Sequence, residues 1–361
     1  MKKKTLFLVP YPLHESPSQR FRFEQYFSLL QSHGYSYTVR SFLNSGNWKA
    51  FFKPGETLVK IGALASGFVK RIIVLFTSPM YDFVFIHREV SPLGPPIFEW
   101  ILAKLLRKKL IYDFDDAIWL TDRKNESFML KVGKWRSKVD LICKWSYKVS
   151  CGNEYLCKYA AKFNKNVVYN PTTVDTENLH NPSLSKEINF EQKRVRIGWT
   201  GSHSTLKYLT KIESVLQKIL TGYPWVEFIV IADQEPALSL PSVTFIPWNP
   251  ETEMEDLMRF DIGIMPLPDD EWAKGKCGFK ALQYMALERP AIVSSVGVNA
   301  KIIEHGVDGF LCRSDEDWED ALKKLIEDPS LRKSMGKSGR KKVIESYSVL
   351  SNSSTFLSLF E

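Results

Sequence analysis

What the chain lacks narrows its class before any motif is read. Its 361 residues hold no uncharged apolar run of about 18, the length that a membrane-spanning helix requires. The longest apolar candidate, Leu58 to Phe76, is interrupted by Lys60, Lys70 and Arg71, so no membrane span is expected. After the three lysines that follow Met1, the apolar run before Pro10 is about five residues long, short of the roughly 7–15 of a signal-peptide core. It reads as a first buried strand. Five cysteines (Cys143, Cys151, Cys157, Cys277 and Cys312) make an odd set without a C-x-x-C pair. That argues against a disulfide framework or a zinc site and suits a reducing, cytoplasmic compartment. The six histidines show no H-x-x-x-H or H-E-x-x-H spacing, so neither a metal nor a cofactor is expected.

What is present suits a well-cored globular protein, with 44% hydrophobic and 25% charged residues. The length fits two domains of roughly 150–180 residues. A formal net charge of +8 gives a basic surface able to meet nucleic acid, anionic lipid or phosphorylated substrates. The basic residues gather at Lys104–Lys109 and between Lys131 and Lys148, the second stretch with Trp135 and Trp145. Basic residues beside tryptophans suit contact with anionic lipid head groups, although a plain solvated surface explains them as simply. No nucleic-acid module accompanies them, so no nucleic-acid partner is expected.

Along the chain, apolar strand-like runs alternate with helix-spaced segments. Strands are expected at Leu6–Val9, Tyr35–Arg40, Tyr81–His87, Lys109–Asp113, 147–150 and Asn166–Tyr169. Helices are expected over 19–33, 61–76, 96–106, 126–146 and 154–163. Asn170-Pro171 halts the pattern, and polar residues 175–194 read as a linker. A second series follows: strands at 194–200, 226–232, 243–246, 261–265 and 291–294, and helices at 205–220, 252–259, 278–287 and 299–305, then two C-terminal helices. Strand alternating with helix implies an α/β fold of two doubly wound, Rossmann-like parallel-sheet domains. Their expected limits are 1–174 and 195–340, with 341–361 as a C-terminal helix returning toward the first domain. Ligands in such sheets bind beyond the carboxyl ends of strands, here in a cleft between the domains.

Four segments at strand ends carry chemistry. In the first, a strand ends near Met265, a loop with Gly275 and Lys276 follows, and a helix begins near Cys277. Free amides and the positive end of a helix dipole there suit a phosphate. Lys276 and Lys280 share a face at that helix start, a poor place for cations unless an anion sits between. Lys280-Ala-Leu-Gln-Tyr-Met-Ala286 resembles the donor-site motif of glycosyltransferase family 4, within the GT-B superfamily. The resemblance implies that Lys280 meets a donor diphosphate and that Gln283 bonds the nucleotide ribose. It departs from the usual Glu-x7-Glu form, with Gly275 and Gln283 at the glutamate positions; Asp269, Asp270 or Glu271 could substitute on the sugar.

Further segments agree in order with the family. Ser294-Ser-Val-Gly-Val-Asn-Ala300 resembles its Gly-x-Asn turn, which implies phosphate contacts at Gly297 and Asn299. Ile303–Leu311 is similar to its Glu-x-Gly-x-x-Gly-Phe-Leu stretch, and Ile197–Ser202, with Gly201, to its opening strand and turn. Trp199 stands where an arginine is common. In the first half, Arg20 and Arg22 flank the turn after the first strand, and their forks suit a phosphate or a carboxylate. Asp113-Phe-Asp-Asp116 gathers three carboxylates at a strand end, where they repel unless solvated, paired or used. Asp115 and Asp116 look like the acceptor-facing pair of the family, with His87 beside them as the other catalytic candidate.

The resemblance implies a metal-independent, retaining glycosyltransferase that takes a nucleotide-sugar donor and a saccharide or lipid-linked acceptor in surface-polysaccharide synthesis. A peripheral contact with anionic membrane would follow from the basic, tryptophan-bearing stretch. A nucleotide-sugar epimerase and a non-catalytic scaffold that has lost its glutamates are the rival readings.

Overall fold

Leu6-Phe-Leu-Val9 and Phe83-Val-Phe-Ile86 are continuous apolar runs without polar alternation, the pattern of strands covered on both faces. In the computed structural model, which describes residues 3–51, 55, 57–121, 126–184 and 194–361, all eight are buried. They belong to a six-stranded parallel sheet of β1 (Lys3–Val9), β2 (Tyr35–Ser41), β3 (Phe83–His87), β4 (Lys109–Phe114), β5 (Lys148–Cys151) and β6 (Val167–Tyr169), ordered β2-β1-β3-β4-β5-β6. Residues Met1–Thr172 together with Asn352–Glu361 make up this unit. The returning tail earns its place by aromatic packing: Phe356 stacks on Tyr26 at 4.2 Å between ring centroids, and Phe360 lies against Phe85.

The second unit, Thr173–Ser351, repeats the design. Its parallel sheet holds β7 (Val195–Gly201), β8 (Val226–Ala232), β9 (Val243–Pro247), β10 (Ile262–Met265), β11 (Ala291–Ser294) and β12 (Gly309–Cys312), ordered β12-β11-β10-β7-β8-β9. In each unit the strand order reverses direction beside the first strand, between β1 and β3 and between β7 and β10. Those are the places where a doubly wound sheet opens a crevice at its carboxyl edge.

Several elements differ from the sequence expectation. The helix expected over 19–33 is broken into Pro17–Arg20, a 3-10 turn at Glu24–Tyr26 and Phe27–Ser32. The helix expected over 126–146 is two helices, Phe128–Lys134 and Lys138–Trp145, parted at Trp135, whose φ of 45° leaves the right-handed region. The second of them is turned so that Lys138 is buried, pairing with Glu89 at 2.7 Å and donating to the Ser91 carbonyl. Arg136 is likewise paired, with Glu126, so the basic stretch is partly internal and less of a lipid-facing surface than its composition suggests. Residues 205–220 hold a short helix, a 3-10 turn and the start of the helix Glu213–Gly222. The short strand β12 was not foreseen, and three helices follow it in place of two. Of the expected linker 175–194, residues 185–193 lie outside the described residues.

Candidate functional site

In the first unit the turn after β1 and the ends of β3 and β4 converge beside the β1/β3 reversal. Arg22 and Asp113, 91 positions apart in sequence, meet in a fully buried pair: Arg22 Nε and Nη2 donate to the two Asp113 oxygens at 3.3 and 2.5 Å. Arg22 also donates to the Asn170 carbonyl and to Ser150 Oγ. Ser150 in turn donates to Asp113 Oδ1 at 2.6 Å. His87 completes the cluster, with Nδ1 at 2.9 Å from Asp113 Oδ2 and Nε2 at 3.2 Å from Ser18 Oγ. Burial alone would raise the Asp113 carboxyl; Arg22 and His87 outweigh it and hold the group well below the usual carboxylate range.

A second charge cluster lies one step outward. Arg88, directly after β3, adopts a φ of 62°, a strained left-handed conformation for a residue with a side chain. Its amide bonds the Asp113 carbonyl, its own carbonyl accepts from Tyr112 Oη, and the guanidinium is thereby aimed at the loop after β4. There it donates to Asp115 at 2.8 and 3.0 Å and to Asp116 at 2.6 Å. Burial opposes ionisation of Asp115, but Arg88 prevails and lowers that carboxyl. The carboxylate repulsion read from the sequence is therefore relieved by pairing. Two expectations need correcting. Arg22 does not face a ligand, because its guanidinium is enclosed and fully engaged with Asp113 and its neighbours. His87 is buried with both ring nitrogens hydrogen-bonded, which leaves it no open nitrogen for an acceptor. Arg20, half-buried, leans on the Phe21 ring at 4.9 Å.

The second unit brings the turn after β7 against the helix after β10. The helix Phe279–Ala286 is capped by Gly278, whose φ of 69° suits only glycine without strain, and no side chain caps its first turn. Tyr284 fixes the helix by accepting from the Thr200 amide at 3.1 Å and reaching the Ile264 carbonyl at 3.3 Å, which ties it to both β7 and β10. The first turn thus points its amides and its dipole at the carboxyl edge of the reversal point. Lys280 projects from that turn, its Nζ 5.3 Å from the centroid of the buried Trp199 ring. It runs so close to Gly201 that a Cβ there would lie 2.8 Å from Lys280 Cε and 2.6 Å from the Trp199 ring. Only glycine leaves room for the lysine. Lys276 sits over the Trp272 ring at 5.1 Å, and Gly297 (φ 56°) passes against the backbone of Lys274.

The two amides named from the sequence are both buried. Gln283 is only 2% exposed, and its Nε2 lies 3.3 Å from His180 Nε2, so it faces inward where a ribose contact was expected. Asn299 is 1% exposed and donates to the Ser294 carbonyl at 3.1 Å, a clamp on the end of β11. The acidic run is occupied locally: Asp270 caps the helix Glu271–Lys274, and Lys274 pairs with Glu271 at 2.8 Å. A pair that the sequence did not flag, His203 and Asp233, joins the turns after β7 and β8 at 2.6 Å. Thirty residues separate them, and no local pattern marks either.

Comparison with known proteins bears on the family of the second unit and on the fold. Residues 236–342 match the family described as glycosyl transferases group 1. The human alpha-1,3/1,6-mannosyltransferase ALG2 is 38% identical over 107 residues, which cover 29% of this chain and 25% of that protein. The mouse protein of the same name is 30% identical over the same length. The chain thus spans about a quarter of the length of the curated relatives it matches. Among solved structures, sucrose-phosphate synthase from Thermosynechococcus elongatus superposes with a TM-score of 0.68 at 13% identity, covering 100% of this chain and 98% of the other. Anabaena HepE, solved in complex with UDP and glucose, gives 0.67 at 14%, covering 99% of both chains. At such identities the likeness is one of fold, and that fold is the GT-B arrangement of two Rossmann-like units.

Proposed function

We propose that this chain, whose residues 236–342 match the group 1 glycosyl transferases, moves a sugar from a nucleoside diphosphate-sugar to a hydroxyl of a saccharide or lipid-linked acceptor. The observation that carries the reading is Lys280 beside Gly201, at an uncapped helix start on the reversal point of the second sheet. In the step proposed, the bond between the sugar's anomeric carbon and the diphosphate oxygen breaks while the acceptor oxygen bonds that carbon and its proton passes to the departing diphosphate. Negative charge grows on the departing diphosphate. Lys280, with Lys276 and the amides of the Gly278 turn, stabilises that charge, so the reading assigns no metal ion to the step. In the first unit, Asp115 and Asp116 orient the acceptor. With Arg88 holding Asp115 ionised and weakly basic, orientation suits it better than proton removal. Retention at the anomeric carbon rests on the family resemblance. The named relatives include a mannosyltransferase and the neighbours a complex with UDP and glucose, which support a hexose without choosing one. Work at a membrane surface suits a lipid-linked acceptor; among the described residues no helix is long and apolar enough to cross a bilayer.

A panel of UDP, GDP, ADP, CMP and dTDP in thermal unfolding tests the donor site. One diphosphate at about 100 times its Kd should stabilise the wild type by roughly 2.7 kcal/mol, and Lys280→Ala should lose most of that. No response to any nucleotide would sink the reading. The buried Gln283 and the glycine at 275 support a second reading, a binding protein without turnover. Release of free sugar or transfer from the stabilising nucleotide-sugar would exclude it.

A further inference from the structure

The helix Thr57–Thr77 is apolar on the side that should be polar. Its inner face, Ala63, Gly67, Arg71 and Val74, packs on the first unit at spacings of four, four and three. Arg71 fixes its rotation. The buried guanidinium donates to the carbonyls of Val90 at 2.7 Å and of Arg40 and Val9 at 2.8 Å, which lie at or just beyond the carboxyl ends of three strands. Gly67 allows the close approach, since a Cβ there would lie 2.4 Å from the Phe42 ring. With that face held inward, the opposite stripe of Leu58, Ile61, Ala65, Val69, Ile72 and Phe76 must face out, and all six are exposed, Leu58 by 85% and Phe76 by 80%. Ile73 widens the stripe. At 1.5 Å per residue it runs for about 30 Å, an unusual length of apolar surface for a helix with no apolar neighbour over it among the described residues.

The surroundings state what would cover it. From Thr57 to Tyr81 there is no acidic residue. Three residues beyond the helix, the exposed Met80 opens a cavity of about 420 Å³ lined by Lys3, Arg107, Lys108 and Lys109, with Asp82 the one carboxylate. Asp82 already accepts from the Lys4 amide. The helix that carries the stripe ends three residues before Met80, so the stripe leads down to the cationic pocket, whose Lys3, Phe83 and Lys109 begin β1, β3 and β4 at the amino-terminal edge of the sheet.

We propose that this surface seats the chain on an anionic lipid bilayer, the stripe entering the head-group boundary and the Lys3–Arg107–Lys109 pocket taking a lipid phosphate. Charge complementarity favours a bilayer over a second copy, because both copies would bring the same cations together. The inner face of the helix is packed on the first unit, which suits lying on a membrane rather than crossing it. The inference does not depend on the sugar-transfer reading.

Vesicle flotation tests it, with phosphatidylcholine alone and with phosphatidylglycerol added. The wild type should float with the anionic vesicles, less so at high salt. Ile72→Gln with Phe76→Gln, and separately Arg107→Gln with Lys109→Gln, should each weaken partition about tenfold or more, while the unfolding midpoint and the nucleotide response stay at wild-type values. Lys131→Gln with Lys134→Gln should change nothing. Partition unaffected by the first two pairs, or a wild type that floats with neither vesicle, overturns the proposal. So does a wild-type dimer, seen by light scattering, that Ile72→Gln with Phe76→Gln splits into monomers.

Discussion

The two units offer their candidate residues at the same edge of the same kind of sheet, yet they handle charge in opposite ways. In the first, cation and carboxylate are matched inside the protein: Arg22 with Asp113, Arg88 with Asp115 and Asp116. In the second, the reversal point is flanked by a lysine, an aromatic face and an uncapped helix start, with the nearby carboxylates engaged by Lys274 or by a helix cap. In the first arrangement the charges are already paired, which holds the loops after β3 and β4 in place. The second brings a lysine, an aromatic ring and a helix start together, and the proposed donor site rests on that juxtaposition. A shared topology therefore fixes where a site can form, and the charge pairing found there differs between the two units.

The largest test of this contrast removes one partner of the buried pair. Arg22→Ala leaves the Asp113 charge enclosed without its main partner and should cost about 3–5 kcal/mol in urea unfolding. Lys280→Ala, at a half-exposed position, should cost under about 1 kcal/mol while it abolishes most of the nucleotide response. Equal stability losses in the two variants would erase the distinction.

A finer test uses the space beside the lysine. Gly201→Ala forces a Cβ against Trp199 and Lys280, and such overpacking costs about 1–3 kcal/mol. The displaced lysine should also weaken the diphosphate-induced shift, which a purely structural glycine would not affect.

The buried pair also predicts a pH dependence. Because the folded Asp113 carboxyl sits below its unfolded value, near 3.9, its contribution is complete above that value. It is lost as pH falls from there through the folded value. Each unit of depression is worth about 1.4 kcal/mol. Asp113→Asn should therefore flatten the decline of urea-unfolding stability below pH 4, and an unchanged slope would remove Asp113 from the account.

Much of this was legible in the sequence. Apolar runs such as Phe83–Ile86 declared buried strands, and the order of motifs from Ile197 to Leu311 declared the second unit. The motifs also point to Lys280 and Gly201. The helix break at Trp135 was not legible, since it follows from the inward turn of Lys138 toward Glu89 and Ser91. Nor was the inward turn of Gln283, set by His180 103 positions away.

The sequence by itself determined the alternation of strand and helix, hence two parallel sheets, because side-chain period and backbone hydrogen bonding are local properties. It also determined which residue types could do chemistry at the strand ends. Only the tertiary structure decided which charges are enclosed in pairs and which stay partly exposed. Arg22 and Lys280 look alike as cations in a chain, and a neighbour 91 residues away encloses the one while a glycine turn makes room for the other. Coulomb energy and desolvation depend on distance and burial in space, and neither is written in the order of residues.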